Sequence, residues 1–145
     1  MNSSSGAPKR VLFLCTGNSA RSQIAEALLR HIAPMRFDAF SAGTAPAAQV
    51  HPGALEVLRR HNVPSAGLGP KHVSKFLGEP FTYVITLCDR AQEQCPTFEH
   101  AEMMHWTFVD PTKARDADAR RRAFDDYFAG VSNRLRFLII VDEKR

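Results

Sequence analysis

The sequence predicts an α/β protein, a three-layer α/β/α fold around a central four-stranded parallel sheet. Short apolar runs alternate with stretches of helical spacing in the order β-α-β-α-β-β-α. That order is the pattern of a parallel sheet covered by helices. Two of the runs, "RVLFLC" and "FTYVITLC", are bounded by turn residues and read as buried strands. Both end in a cysteine. Ligands of such sheets bind at the carboxyl ends of the strands, so Cys15 and Cys88 are expected on one rim.

Each element has its own signal. After "RVLFLC", the stretch "SARSQIAEALLRHIA" sets Ile24, Ala27, Leu28 and Ile32 on one helical side, and Pro34 closes it. "RFDAFSAG" alternates Phe37 and Phe40 in strand fashion before a turn. "HPGALEVLRRHN" reads as a second helix with Pro52 in its first turn. Residues 63–71, rich in proline and glycine, are expected to be loop. "FTYVITLC" is the next strand, and "EMMHWTFVD" is a weaker one stopped by Pro111. In "DADARRRAFDDYFAGVSNRLRFLII", Phe124, Phe128, Val131, Leu135 and Leu138 step by four, three, four and three along one helix face.

The 145 residues suit a single domain over residues 10–145, preceded by a polar, flexible segment over residues 1–9. Hydrophobic residues make up 44% and charged residues 23%, the balance of an ordinary soluble protein. A formal net charge of +4 is too mild to imply nucleic acid, and aromatic residues do not alternate with basic ones as single-strand binders require. It suits a small anionic substrate or an acidic partner. No run is long enough to span a membrane, and "MNSSSGAPKR" lacks the apolar segment of a signal peptide. A cytoplasmic monomer is the expectation. The three cysteines, Cys15, Cys88 and Cys95, argue against a disulfide framework, and their odd number asks for a chemical use.

The stretch "CTGNSARS" carries that use. Cys15 lies between a strand and a helix start. Backbone N–H groups over Thr16, Gly17, Asn18, Ser19, Ala20 and Arg21 can surround an anion, helped by the positive helix end. Gly17 is expected to permit a turn that a side chain would obstruct. The Arg21 fork matches two oxygens of a tetrahedral oxyanion. The same donors favour a Cys15 thiolate, the nucleophilic form. Ser22 is placed to donate to that sulfur, and Asn18 to brace the loop from within.

"CDRAQEQC" sets Cys88 and Cys95 seven positions apart. On a continuous helix that is a rise of about 10 Å, whereas a disulfide needs Cα atoms within about 7 Å. The two could join only if the polar segment between them bends or unwinds. His100 and His105 follow, but Cys-x6-Cys-x4-His-x4-His is not a usual zinc spacing. No metal site is expected, and His105 is expected to pack beside Trp106. "VDP" places Asp110 on a loop after a strand-like segment.

These residues together carry a resemblance. "CTGNSARS" resembles the Cys-x5-Arg-Ser loop of the low-molecular-weight tyrosine phosphatase superfamily. Its Thr-Gly-Asn-Ser form is similar to that of the thioredoxin-coupled arsenate reductases. "SAG" at Ser41–Gly43, "TLC" at Thr86–Cys88 and "HW…DP" from His105 to Pro111 continue the likeness from about Arg10 onward. The resemblance implies the superfamily's fold and an arsenate reductase without a bound cofactor. Cys15 would attack arsenate, Cys88 would attack Cys15, and Cys95 would carry the disulfide outward to thioredoxin. Arg21 would bind the oxyanion and Asp110 would be the general acid. Phosphate or sulfate is expected to fit the same loop.

Two departures stand out. Ala20 replaces a second loop cysteine found in many relatives. Some related reductases bind potassium through Asn, Glu, Ser and Asp; Asn18, Glu26 and Ser41 match three of these, but Lys71 lies about where the acid would be. Its ammonium is expected to pair with Glu26 in place of the cation. Two other functions remain open on the residues. A phosphatase acting on phosphomonoesters would need Cys15, Arg21 and Asp110 but neither distal thiol. A non-catalytic anion-binding or redox-sensing module would not need Asp110. "DPTKAR" lacks the aromatics with which phosphatases clasp a phosphotyrosine ring, which favours a small inorganic oxyanion.

Overall fold

The computed structural model describes residues 6–145. Residues 1–5 of the expected lead-in lie outside the described residues. Lys9, assigned to that lead-in from sequence, belongs to the first strand instead. Four strands, β1 (Lys9–Cys15), β2 (Phe37–Gly43), β3 (Tyr83–Thr86) and β4 (Glu102–His105), form one parallel sheet in the order β2-β1-β3-β4. The helices are α1 (Arg21–Ile32), α2 (Pro52–Arg60), α3 (Asp89–Gln94) and α4 (Ala117–Glu143). The four-stranded parallel sheet and the flanking helices match the expected three layers.

Strand pleating sends alternate side chains to opposite faces. Val11, Phe13, Tyr83 and Ile85 face α1, α2 and α4, where most of the core lies. Leu12, Leu14 and Val84 face a thinner layer made from α3, a 3-10 turn at Val73–Phe76, and Phe81 and Phe98. The central helix α1 is buried from Ser22 through Leu29, so its burial exceeds the single stripe of Ile24, Ala27, Leu28 and Ile32. It takes polar Gln23 and Glu26 into the interior with it. On α4 the buried apolar and aromatic residues are Phe124, Tyr127, Val131, Leu135 and Leu138, joined by Ser132 and Asp142. Phe128 lies at the edge instead, stacked on the His61 ring at 4.0 Å.

The sequence order omitted α3, whose six residues are too few and too polar to leave a periodic signal. β4 is also shorter than expected. It is an edge strand with Glu102 and Met103 exposed, and pairing stops at His105. At the amino end of the sheet, buried Asp142 of α4 binds Lys9 Nζ at 2.7 Å, Tyr83 Oη at 2.6 Å and Arg36 at 2.5 Å. This clamp lies at the opposite end of the strands from Cys15. No helix among the described residues is long and apolar enough to cross a membrane.

Candidate active site

Cys15 ends β1 and Arg21 begins α1, so the loop between them sits at the carboxyl rim of the sheet. Three loop carbonyls turn outward. Thr16, Gly17 and Ser19 accept from the N–H groups of Ala45, Ala47 and His51 at 2.8–2.9 Å. The N-cap residue of α1 is Ala20, which supplies no side-chain cap. The first-turn N–H groups are thereby left to an anion.

Asn18 braces this loop as expected. It is fully buried and adopts a left-handed backbone (φ 48°), which Asn tolerates better than most residues. Its Nδ2 donates to Ser22 Oγ at 2.7 Å, and its Oδ1 accepts from Lys71 N at 2.9 Å. Its carbonyl accepts from Gln23 Nε2 at 2.8 Å. Two local expectations are corrected. Ser22 Oγ accepts from Asn18 Nδ2, and the described residues show no hydrogen bond from it to the Cys15 sulfur. Gly17 is not sterically required, since a Cβ there would meet only Ser19 Oγ at 3.6 Å.

The glycine that the loop does require is Gly43, at the end of β2. A Cβ there would lie 2.4 Å from the Thr16 carbonyl oxygen and 2.9 Å from that of Cys15. Gly43→Ala is expected to push the loop outward and cost about 1–3 kcal/mol. A denaturant melt together with phosphate affinity checks this; an unchanged melt and affinity would overturn it.

Arg21 folds back over the rim. Its Nη1 donates to the Phe108 carbonyl at 3.2 Å and the Leu87 carbonyl at 3.4 Å, and its Nη2 lies 3.6 Å from Asp110 Oδ2. From α4, Tyr127 Oη donates to the Arg21 carbonyl at 2.6 Å. Tyr127 is a site residue that sequence reasoning missed, since its periodicity marks it only as core.

The two rim cysteines meet. In β1–β3 pairing, Leu14 is level with Thr86, and Leu87 N donates to Leu14 O at 2.8 Å. Cys88 Sγ therefore reaches 3.6 Å from Cys15 Sγ. Thr16 Oγ1 lies 3.3 Å from the Cys88 sulfur. The hydrogen bond from Cys15 is the largest influence on Cys88. Thr16 and the Ala91 N–H add to it, burial opposes it, and the thiol is lowered to about 4. The same bond, with burial, pushes Cys15 up, against the pull of Arg21 and the Thr16 N–H. The shared bond thus biases Cys88 toward the thiolate and Cys15 toward the thiol.

Cys88 and Cys95 cap the two ends of α3. Cys95 is half-buried, donates to the Pro96 carbonyl at 3.3 Å, and is pushed up by burial. The intervening helix keeps the two sulfurs apart. Its last turn is weak, with Cys95 N to Gln92 O at 3.5 Å, while Ala91 is its only buried residue. His105 departs from the expected packing beside Trp106. Its Nδ1 meets Thr86 Oγ1 at 2.7 Å and its Nε2 meets Asp89 Oδ1 at 3.0 Å, so it links β3, β4 and the start of α3.

Asp110 caps a 3-10 turn, with Oδ1 accepting from Thr112 N at 3.0 Å and Thr112 Oγ1 at 2.7 Å. Burial is the largest influence and raises its carboxyl. The Thr112 hydrogen bonds, Arg21 and Lys113 outweigh it and hold Asp110 below the usual range. Beneath the loop, Glu26 accepts from Ser41 Oγ and Arg30 Nη2, each at 2.6 Å. Lys71 Nζ lies 3.9 Å from Glu26 Oε1 and donates to the Gly69 carbonyl. Among the described residues no group of three or more His, Cys, Asp or Glu is placed to hold a metal ion.

Comparison with known proteins agrees with this geometry. The model of the low molecular weight phosphotyrosine protein phosphatase family matches residues 10–136. An arsenate reductase of Oceanobacillus iheyensis is 34% identical over 114 residues, covering 78% of this chain and 81% of that one. One of Halalkalibacterium halodurans is 34% identical over 116 residues, covering 79% and 83%. A thioredoxin-dependent arsenate reductase of Corynebacterium glutamicum superposes with a TM-score of 0.75 at 29% identity. That superposition covers 94% of this chain but 63% of the other, so this chain spans less than two thirds of that protein's length. With a matching family model over most of its length and a cysteine–arginine loop at the carboxyl rim of its sheet, the chain belongs to the low molecular weight phosphotyrosine protein phosphatase family.

Proposed function

We propose that this protein is an arsenate reductase, converting arsenate to arsenite through Cys15, Cys88 and Cys95, with a thioredoxin as reductant. The observation that carries the reading is the 3.6 Å approach of Cys88 Sγ to Cys15 Sγ. Hydrolysis by a phosphatase does not require a second thiol against the nucleophile, whereas the reductase relay does.

The chemistry follows in order. Arsenate sits in the loop against the N–H groups of residues 16–22 and the Arg21 fork. Cys15 thiolate attacks arsenic, and the departing oxygen takes a proton from Asp110 and leaves as water. Cys88 thiolate then attacks the Cys15 sulfur. The sulfur–arsenic bond breaks with its electron pair going to arsenic, which falls from pentavalent to trivalent as the two sulfurs are oxidised to a disulfide. Thr16 and the Ala91 N–H still stabilise the Cys88 thiolate once Cys15 is occupied. Next α3 unwinds and Cys95 attacks Cys88, releasing Cys15 as thiolate. Thioredoxin finally takes the Cys88–Cys95 disulfide in exchange for its own dithiol. The step needs no bound cofactor, and three free thiols suit a reducing compartment such as the cytoplasm.

The phosphatase reading has less support. Val109 beside Asp110 is exposed but aliphatic, and Thr112, Lys113, Ala114 and Arg115 offer no ring on the other side. The deciding assay is arsenate-dependent oxidation of NADPH with thioredoxin and thioredoxin reductase. Robust turnover is expected; hydrolysis of aryl phosphate with no arsenate turnover would overturn the reading.

The half-buried Lys71 supports a cation-independent site. Burial lowers its ammonium and Glu26 raises it; the ammonium lies 3.9 Å from the Glu26 carboxylate that also accepts from Ser41, and the Lys71 N–H donates to Asn18 Oδ1. Replacing sodium by potassium at equal ionic strength is expected to leave both activity and melting temperature unchanged. A marked rise in either with potassium would refute this.

A further inference from the structure

We infer that in the fully reduced protein Cys15 and Cys88 form a chelating site for trivalent arsenic, so that the product can rebind and compete with arsenate. The proposed reaction supplies the ligand, and the inference rests on that reading to this extent. The site itself rests on the placement of the two sulfurs.

A soft atom bonded to sulfur at about 2.3 Å, the length of a zinc–thiolate bond, spans two sulfurs roughly 3.3–3.8 Å apart for bond angles from square to tetrahedral. The 3.6 Å separation of Cys15 and Cys88 falls inside that range without moving either backbone. Cys15 is buried but Cys88 is half-buried, so the pair is approached from the Cys88 side. The two sulfurs share a hydrogen bond, so both already face the position that a soft acceptor would take. Cys95 does not share in the site: it caps the far end of α3 and bonds to Pro96.

The binding step involves no redox change. Arsenous acid carries three hydroxyls. Two As–O bonds break and two As–S bonds form, and each departing hydroxyl leaves as water with a proton supplied by the thiols or solvent. Arsenic stays trivalent and keeps one hydroxyl. During turnover the site does not exist, because Cys15 and Cys88 are joined to each other as arsenite leaves. It reappears only when the reductant has restored both thiols. Arsenite is thus expected to occupy the same enzyme form that arsenate needs.

The test is arsenite binding to the reduced full-length protein, read by native mass spectrometry and by titration of free thiols. The wild type should take one arsenic per chain and lose two of its three titratable thiols. Cys95→Ser should bind as tightly as wild type. Cys15→Ser and Cys88→Ser should each bind at least about a hundredfold more weakly, since each keeps one sulfur and loses the intramolecular second bond. Cys15→Ala and Cys88→Ala accompany them, so that variants with an intact thermal melt decide the outcome. Undiminished binding in Cys88→Ser overturns the chelate, and binding lost in Cys95→Ser moves the site to the other thiol pair. In steady state arsenite should raise the KM for arsenate and leave kcat unchanged; a fall in kcat alone also overturns the proposal. Wild-type arsenate turnover is measured alongside. Arsenite uptake without turnover defeats the reductase reading and keeps the site, whereas turnover without uptake does the reverse.

Discussion

Replacing Cys88 by serine is expected to abolish sustained arsenate turnover, by about a thousandfold or more, and to release no arsenite. In the proposed relay Cys88, 3.6 Å from Cys15, takes the Cys15 sulfur away from arsenic, and a hydroxyl cannot form the disulfide. Cys95→Ser should behave differently. It keeps the first two thiols, so it should release one arsenite per chain and then stall as a Cys15–Cys88 disulfide. Rapid quench with arsenite counting separates the cases: none for Cys88→Ser, one for Cys95→Ser, many for wild type. Equal and continuing turnover in both variants would falsify the relay. Because α3 holds Cys88 and Cys95 at opposite caps, the Cys95 step should also be accompanied by loss of amide protection over residues 89–94. Hydrogen exchange of the Cys15–Cys88 disulfide form, compared with the Cys88–Cys95 form, reads this directly.

Asp110→Asn is expected to lower kcat by about 10²–10⁴-fold, the usual span for removal of a general acid. The resting geometry holds this carboxyl ionised, through Thr112 and the nearby Arg21. An acid must first gain a proton, and an incoming oxyanion provides the reason. It draws Arg21 to itself and sets negative charge beside the carboxylate, both of which raise the carboxyl's proton affinity. Wild-type kcat should therefore fall as pH rises through the pKa of the complex, and the asparagine variant should lack that limb. The loss should appear in the formation of the Cys15 adduct and not in the later thiol exchange. A variant with a wild-type adduct rate would remove Asp110 from the chemistry. It would also favour a simple role as cap of the 3-10 turn.

Much of this site is legible in the sequence because it is local. The residues from Cys15 to Ser22 lie together on any strand–loop–helix, and an oxyanion constrains their types. Other parts were not legible. Gly17 looked indispensable, but the close approach is at Gly43, where β2 runs against the loop carbonyls. Ser22 is expected to donate to the sulfur, but the contact its oxygen makes is as acceptor from Asn18 Nδ2. The Tyr127 hydroxyl and the His105 imidazole reach the site from α4 and β4, at separations no local spacing encodes. The helix between Cys88 and Cys95 is short and polar, so periodicity has nothing to register. It forms because its ends are set by the strand before it and by Ala91 packed beneath it.

By itself, the sequence determined the layered fold and pointed to the oxyanion loop, the three thiols and the one acid of the proposed chemistry. Alternating apolar runs and loop composition are properties of adjacent residues, and they survive without tertiary context. Only the tertiary structure decided which thiol faces which. Cys15 and Cys88 are 73 positions apart, and their contact exists because β1 and β3 are neighbours in a register that sets Leu14 beside Thr86. Register in a buried parallel sheet is chosen by packing on both faces at once. The same packing placed Cys95 out of reach behind a helical turn. The order in which the thiols can react is therefore a consequence of the sheet and not of the spacing.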